Sequence, residues 1–355
     1  MEKIRFDNFV SLNRGFDLPD DKIIEGKYPV IASTSIKAYH NQFKVKAPIV
    51  VTGRSGSLGK VQYVDEDGWP LNTALYAKDF HGNNPKYVYY FLQTMHLEQY
   101  NAGAGVPTLN QNHLHSLKIL IHKLPTQQKI ASILSAYDNL IQNYKKQIEA
   151  LQTAASELYK EWFVRFRFPG WQNAKFENGI PEGWKVERLG NLANISTGKC
   201  NREDAEEDGI YPLFDRSQEI KKSNEWIKDC EAIIVPGEGT SFIPRYYKGK
   251  FNLHQRCYCV EPKYPNFGKF LFYVLMLNRK YFLSVATGAT VPSLRYNNFA
   301  SMKFVLPEMS LCNNFNKIAD DIFAKVDNLQ QQITNLTQQR DLLLPRLMSG
   351  KLEME

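Results

Sequence analysis

Three stretches of the 355-residue chain bring chemically capable side chains close together. Gly53-Arg54-Ser55-Gly56-Ser57-Leu58-Gly59-Lys60 invites reading as a phosphate loop, in which backbone N–H groups cradle a phosphate and a lysine reaches its outer oxygens. The spacing fails: Arg54 stands where the first glycine is needed, and Val61 where a hydroxyl would hold Mg2+. Its counterpart Gly237-Glu238-Gly239-Thr240 carries an acid that repels phosphate. A glycine-rich turn between strands, presenting Arg54 outward, is expected instead. Pro19-Asp20 followed by Glu25-Gly26-Lys27 mimics a Mg2+-dependent nuclease signature, but the separation is too short for two strands to aim both carboxylates at one ion. Asn84-Pro85-Lys86-Tyr87 breaks the Asn-Pro-Pro-Tyr run of an amino-methyltransferase. No catalytic constellation emerges, and the chain is not expected to be an enzyme by itself.

Metal and disulfide chemistry fare no better. The seven histidines do not fall at ligand spacing, and His113 and His115 are expected on a strand or turn as surface or packing residues. The five cysteines are odd in number and confined to the second half, unlike a disulfide framework. Cys257-Tyr258-Cys259 has the spacing of one strand face, with no second pair to complete a zinc site. An apolar content of 43% suits a globular protein. No apolar run approaches the ~18 residues of a membrane span; the longest candidate, Phe270 to Leu277, suits a short buried helix or strand. Met1-Glu2-Lys3-Ile4-Arg5 has no secretory character, so a cytoplasmic location is expected.

The elements that must position any functional group are revealed by self-similarity. Tyr28-Pro29-Val30 answers Tyr211-Pro212-Leu213, and Ile49-Val50-Val51-Thr52-Gly53 answers Ile233-Ile234-Val235-Pro236-Gly237. Gly103 to Leu109 answers Gly288 to Leu294, Leu124-Pro125 answers Leu306-Pro307, and Asp138-Asn139-Leu140 answers Asp327-Asn328-Leu329. Five matches in one order, at offsets drifting between 182 and 189, mark a tandem duplication. Each copy opens with mixed strands and turns and continues, after Leu-Pro, into a long helix. The first shows Ile130, Ile133, Leu134, Tyr137, Leu140, Ile141, Tyr144, Ile148, Leu151, Ala155, Leu158 and Trp162 at heptad positions, with Gln147 and Glu161 as lapses. The second shows Ala319, Ile322, Val326, Leu329, Ile333, Leu336 and Leu343, lapses at Arg340, and is expected to end at Pro345.

Residues 126–162 would span about 55 Å at ~1.5 Å per residue, too long for one small domain to cover. Either two chains pair through these helices, or the two helices of one chain pair antiparallel and act as a spacer. The second arrangement relates the two globular parts by a pseudo-two-fold axis, as duplex DNA relates two half-sites. Charge agrees: the net charge is +7, the segment 126–163 is neutral and 308–350 slightly acidic, so the positive surplus lies on the globular parts. A coiled-coil adaptor with two protein-binding heads and a nuclease acting alone remain as alternatives.

Longer segments carry a specific likeness. Leu124-Pro125-Thr126-Gln127-Gln128-Lys129-Ile130, Glu161-Trp162-Phe163-Val164-Arg165-Phe166-Arg167-Phe168-Pro169-Gly170, Ile180-Pro181-Glu182-Gly183-Trp184-Lys185 with Leu189-Gly190, and Leu343 to Leu352 resemble the specificity (S) subunit of type I restriction–modification systems, over essentially the whole chain. The resemblance implies an α+β chain. Two tandem mixed α/β target recognition domains, at 1–123 and 169–306, are separated by two long antiparallel helices, at 124–168 and 307–355, that form a coiled coil. It further implies two dissimilar half-sites in double-stranded DNA, two docked methyltransferase (modification) subunits, and motor–nuclease (restriction) subunits. S-adenosylmethionine, ATP and Mg2+ would belong to those partners. The first copy starts at Lys3-Ile4-Arg5-Phe6 without a Pro-Glu-Gly-Trp lead-in, so its N-terminus is expected to pack differently.

Base reading calls for Arg, Lys, Asn, Gln or His at loop tips. The candidates are Arg14, Lys37, His40, Arg54 and Asn110 in the first copy, and Arg202, Arg216, Lys221, Arg245 and Arg295 in the second. Arg54 and Arg245 follow the glycine turns and are expected in matching places, as are Asn110 and Arg295 after the Val-Pro-Thr/Ser-Leu turns. Tyr137, Tyr144, Tyr159 and Trp162 either dock partner subunits or pack within the chain.

Overall fold

The computed structural model describes residues 1–352, apart from the side chain of Arg202. The chain forms two compact units, Met1–Lys145 with Gln331–Glu355, and Lys146–Gln330. This cut differs from the four-part division read from sequence, because each long helix is shared between two cores rather than standing apart.

The first unit runs β1 (Glu2–Arg5), α1 (Phe6–Phe9), β2 (Ser11–Arg14), β3 (Tyr28–Ile31), β4 (Ile36–His40), β5 (Ile49–Gly53), β6 (Val61–Val64), β7 (Trp69–Pro70), β8 (Ala74–Asp79), α2 (Pro85–Thr94), α3 (Gln111–His115), β9 (Lys118–Ile121) and the start of α4 (Leu124–Phe163). The β-branched run of β5 is buried throughout, as suits a central strand. It sits in a sheet of order β2-β8-β5-β6, beside a smaller sheet β4-β3-β7. The Asn84-Pro85 step that breaks a methyltransferase motif has a structural use. Asn84 caps α2 by accepting from the Tyr87 N–H at 3.0 Å, and Pro85 fills the first helical turn.

The second unit continues with β10 (Phe176–Glu177), β11 (Ile180–Pro181), β12 (Lys185–Arg188), α5 (Leu189–Leu192), β13 (Ala193–Thr197), β14 (Tyr211–Phe214), β15 (Lys221–Ser223), β16 (Lys228–Pro236), β17 (Arg245–Leu253), β18 (Cys257–Pro262), α6 (Gly268–Leu277), α7 (Arg279–Val285), α8 (Tyr296–Ala300), β19 (Lys303–Leu306) and α9 (Met309–Met348), the last of which ends in the first unit. Its main sheet has the order β13-β18-β16-β17-β14-β15. The strand pairings repeat those of the first unit. Val51↔Tyr76, Thr52↔Leu75 and Gly53↔Ala74 become Ile234↔Cys259, Val235↔Tyr258 and Pro236↔Cys257. The parallel pairs Val30↔Trp69 and Ile31↔Pro70 become Leu213↔Asn252 and Phe214↔Leu253.

Every one of these shifts is 183 residues, which corrects the alignment by identity: Gly53 corresponds to Pro236, and Arg54 to Gly237. One strand, β17, does the work of β6 and β7, which the acidic turn Asp65-Glu66-Asp67 separates. The N-terminal strand also packs as its counterpart does. Arg5↔Lys118 becomes Arg188↔Lys303, and the second unit adds only the β10–β11 hairpin ahead of it. The segment Phe270–Leu277 is helical, within α6. His113 and His115 lie on the short helix α3 rather than a strand, and His115 accepts from the Leu12 N–H at 3.0 Å.

Each unit takes one segment of α4 and one of α9 into its core. In the first, Ile130 and Leu134 join Phe9, Tyr87, Leu344 and Leu347. In the second, Ala155, Tyr159, Trp162 and Phe163 join Phe270, Phe315 and Ala319. Asp138 meets Arg340 at 2.6 Å in the first unit, and the Tyr159 and Phe315 rings meet at 5.7 Å in the second. Rising numbers on α4 meet falling numbers on α9, so the helices run antiparallel. The lapse at Arg340 is thereby explained, since its guanidinium faces a carboxylate that also accepts from the Tyr90 hydroxyl.

Two expectations for the helices change. α9 does not stop at Pro345 but continues to Met348. A proline there forfeits one N–H bond in the last turn, and burial of Leu344, Leu347 and Met348 offsets the loss. The apolar stripe of α4 is also wider than the seam: Ile133 and Leu140 are 38% and 37% exposed.

Tyr159, Phe163 and Tyr273 all place rings within 5.8 Å of Phe315. Phe315→Ala should therefore cost about 3–5 kcal/mol in unfolding free energy, read by chemical denaturation; a loss below about 1 kcal/mol would show that this cluster does not hold α9 to the second unit.

Candidate nucleic-acid interface

Eight of the ten candidate residues fall into two groups, with Arg54 and Arg202 apart. Arg14 ends β2 on the surface, 3.8 Å from Asp17, and Lys37 projects from β4 to pair with Asp20. Arg216 is exposed and holds Glu238 at 2.8 Å. Arg295 and Asn110 are exposed at the starts of α8 and α3, in matching places as expected. Asn110 spends its oxygen on the Asn112 N–H at 2.9 Å. The side chain of Arg202 lies outside the described residues.

A second group is turned inward. His40 is 4% exposed, bonds the Ile24 backbone at 3.1 Å and packs edge-on against Trp69, so it is a packing residue and not a loop tip. Arg245 opens β17 and lies over the Phe214 ring, donating to the Ser217 carbonyl at 2.7 Å and to that of Asp215. Burial lowers its pKa below the ordinary guanidinium value. Its strand position corresponds to Gln62, so it does not share a place with Arg54, because Arg54 directly follows β5 ahead of the Gly56 turn whereas Arg245 opens the strand after the Gly239 turn. Lys221 pairs with the buried Asp215 at 2.9 Å. Burial works against the Asp215 carboxylate, yet bonds from Ser217 and Lys221 hold it at about 2.

Arg54 belongs to neither group. It is half-buried beside the turn and donates to the Asn72 carbonyl at 3.4 Å, rather than standing fully outward. Its backbone anchors a frame: the Arg54 N–H donates to Thr73 at 2.8 Å, the Leu109 N–H to Arg54 at 2.8 Å, and the Gly56 N–H to Pro107 at 2.9 Å. The second unit builds the same frame, from Gly237 to Arg256 at 2.7 Å, Leu294 to Gly237 at 2.8 Å and Gly239 to Pro292 at 3.0 Å. Gly56 and Gly239, at φ 85° and 124°, supply the left-handed turn. Arg256 and Gln255 were missed in the sequence; the polar turn between Leu253 and Cys257, which joins β17 to β18, was the available signal.

Of the proposed docking aromatics, Tyr159 and Trp162 are buried in the second unit's core, whereas Tyr137 and Tyr144 remain half-exposed on α4. All five cysteines are free, and burial pushes the Cys257 thiol up to about 12. Among the described residues, no group of three or more His, Cys, Asp or Glu is placed to hold a metal ion. No helix there is long and apolar enough to cross a membrane.

The sequence family described as the type I restriction modification DNA specificity domain matches this chain twice, over residues 2–153 and 181–341. The chain belongs to that family. The specificity subunit of the type I restriction enzyme MjaIX from Methanocaldococcus jannaschii is 27% identical, over 92% of this chain and 82% of the relative. That of EcoDI from Escherichia coli is 31% identical over 50% of this chain and 40% of the relative. The crystal structure of an S subunit from M. genitalium shares the fold over 100% of this chain and 96% of that one, with a TM-score of 0.68 at 20% identity. The protein is thus a sequence-recognition subunit of a restriction–modification complex and carries no catalytic role by itself. Such subunits bind DNA and assemble with other subunits of the system.

Behind the second frame, His254 accepts from the Arg256 N–H at 2.9 Å, and burial together with Arg216 lowers its pKa below 6.5. Burial lowers His115 and His122 likewise. Below about 6.5 the unfolded chain binds protons that the folded chain refuses, so these groups make stability rise with pH through that value. The midpoint of thermal unfolding should fall as pH is lowered from about 7 to about 5; a midpoint unchanged over that range would show that the three rings accept protons in place.

Proposed function

We propose that each unit of this specificity subunit reads one half of a two-part, asymmetric DNA site, and that α4 and α9 together set the gap. The observation that carries this reading is the 183-residue shift shared by the pairings around β5 and β16 and by the parallel pairs, on which the two copies hang different polar side chains. One backbone plan with two sets of donors is suited to two different half-sites on a duplex. The positive surplus outside the helices supplies attraction for phosphates, and a slope of binding against salt is its expected signature.

The remaining partners follow from chemistry this chain does not supply. Methyl transfer would use S-adenosylmethionine on two modification subunits, and translocation with cleavage would use ATP and Mg2+ on restriction subunits. The Gly53–Lys60 segment does not suit a nucleotide, since it closes a turn between β5 and β6 rather than opening a helix whose N–H groups could face a phosphate. Modification subunits would dock on the outer flank of α4, where the exposed Ile133 and Leu140 alternate at three- and four-residue spacing with the half-buried Tyr137 and Tyr144 at the edge of the seam.

Two experiments test this. Four residues inserted within α4 near Lys145 should change the gap between methylated half-sites and leave the half-sites unaltered, as read by sequencing modified positions in cells that also carry the modification partner; an unaltered gap would remove the ruler role. Ile133→Glu combined with Leu140→Glu should abolish co-purification with the modification subunit while shifting the thermal midpoint by no more than a few degrees, because both side chains are already more than a third exposed. Undiminished co-purification would place the dock elsewhere.

A further inference from the structure

The two frames share three backbone hydrogen bonds but surround them with different chemistry. In the first unit, Arg54 and Asn110 flank the frame, with Asn72 and Thr73 at its edge. In the second, the position of Arg54 is Gly237, where an added Cβ would come within 2.8 Å of the Arg256 carbonyl and 3.0 Å of the Tyr258 ring. The first unit has Leu75 where Tyr258 stands. Denied an arginine there, the second unit brings its charge from neighbouring turns, Arg216 after β14, Arg256 between β17 and β18, and Arg295 ahead of α8. Glu238 accepts from Arg216 and from Arg256, each at 2.8 Å. The Glu238 side chain is 16% exposed, whereas those of Arg216 and Arg256 are 48% and 54% exposed. Arg295 and Gln255 line the same small cleft as Glu238 and Arg256.

We propose that this frame is where each unit encodes its half-site, with Arg256 and Arg295 reading base edges in the second unit and Arg54 with Asn110 in the first. The inference rests on the half-site reading above. Glu238 is then a positioning residue. A free surface arginine loses rotamer freedom on binding, and one already held by a carboxylate has less to lose. A guanidinium has five donors, and the contact with Glu238 uses one on each arginine, leaving a fork of the shape that fits the O6 and N7 of guanine. The carboxylate also argues for bases over phosphates, since it would repel a phosphate approaching the same arginines. In the first unit the oxygen of Asn110 is spent on a helix cap, which leaves its amide donors available one residue beyond the Leu109 N–H that bonds the Arg54 carbonyl.

The test is the methylated motif written by the full chain with its modification partner in a host lacking other methylation. Arg256→Ala should lower preference at one or more base pairs of one half-site by roughly five- to a hundredfold, the range for a bidentate base contact. Glu238→Gln should weaken the same positions less, and Arg54→Ala should loosen the opposite half-site, all with the gap unchanged. Glu238→Gln keeps size and shape and so reads the role even if Arg256→Ala fails to fold. Motifs unchanged in both second-unit variants would overturn the proposal, as would losses shared equally by both half-sites, the mark of phosphate contacts. If the unaltered chain writes no two-part motif, the half-site reading fails with it; an intact two-part motif that ignores these variants sinks the frame alone.

Discussion

A forty-residue helix carries more apolar surface than the globular segment beside it in sequence can cover, and that constraint organises this chain. Neither α4 nor α9 is satisfied by its own copy. Ile130 and Leu134 need Leu344 and Leu347 from the far end of the chain, and Ala155, Tyr159 and Trp162 need Phe315 and Ala319. The helices are thus structural members of both cores before they are anything else, and the aromatic residues of α4 divide accordingly. Tyr159 and Trp162 are spent on packing, while Tyr137 and Tyr144 stay half-exposed.

The same constraint accounts for what separates framework from recognition. Strand pairings and the left-handed glycine turns recur in both copies. Polar side chains at the rim are free to differ, and they do: an arginine on one frame, a glycine with a carboxylate-held arginine pair on the other. In the second unit even the inward charges have assigned work. Arg245 and Lys221 secure the turn around Asp215, which leaves Arg216, Arg256 and Arg295 for the surface.

Much of the architecture was legible because duplication and helical periodicity are long-range signals that survive local noise. The Leu-Pro steps mark the helix starts to within a few residues, and the lapse at Arg340 reports a real partner in Asp138. What sequence alone misjudged was local. Matching Gly53 to Gly237 by identity slipped the register by one, because a strand tolerates proline or glycine at its end and only hydrogen bonding decides which aligns. Pro345 does not stop α9, since a proline's cost in a final turn is small beside three buried side chains. His40 and Arg245 carry the right chemistry for DNA but point inward, and a side chain's direction is set by pleat and packing that residue type does not reveal. Arg256 escaped notice because its neighbour Glu238 is distant in sequence.

The division of the helices also orders events at the ribosome. The second unit is one continuous stretch, Lys146–Gln330, and can close as soon as it emerges. The first unit, whose leading segment ends at Lys145, waits for Gln331–Glu355, which is complete about 10–40 s after Lys145 at roughly 5–20 residues per second. Until then the faces of Ile130 and Leu134 lack their cover, so the half of the protein made first is the half finished last.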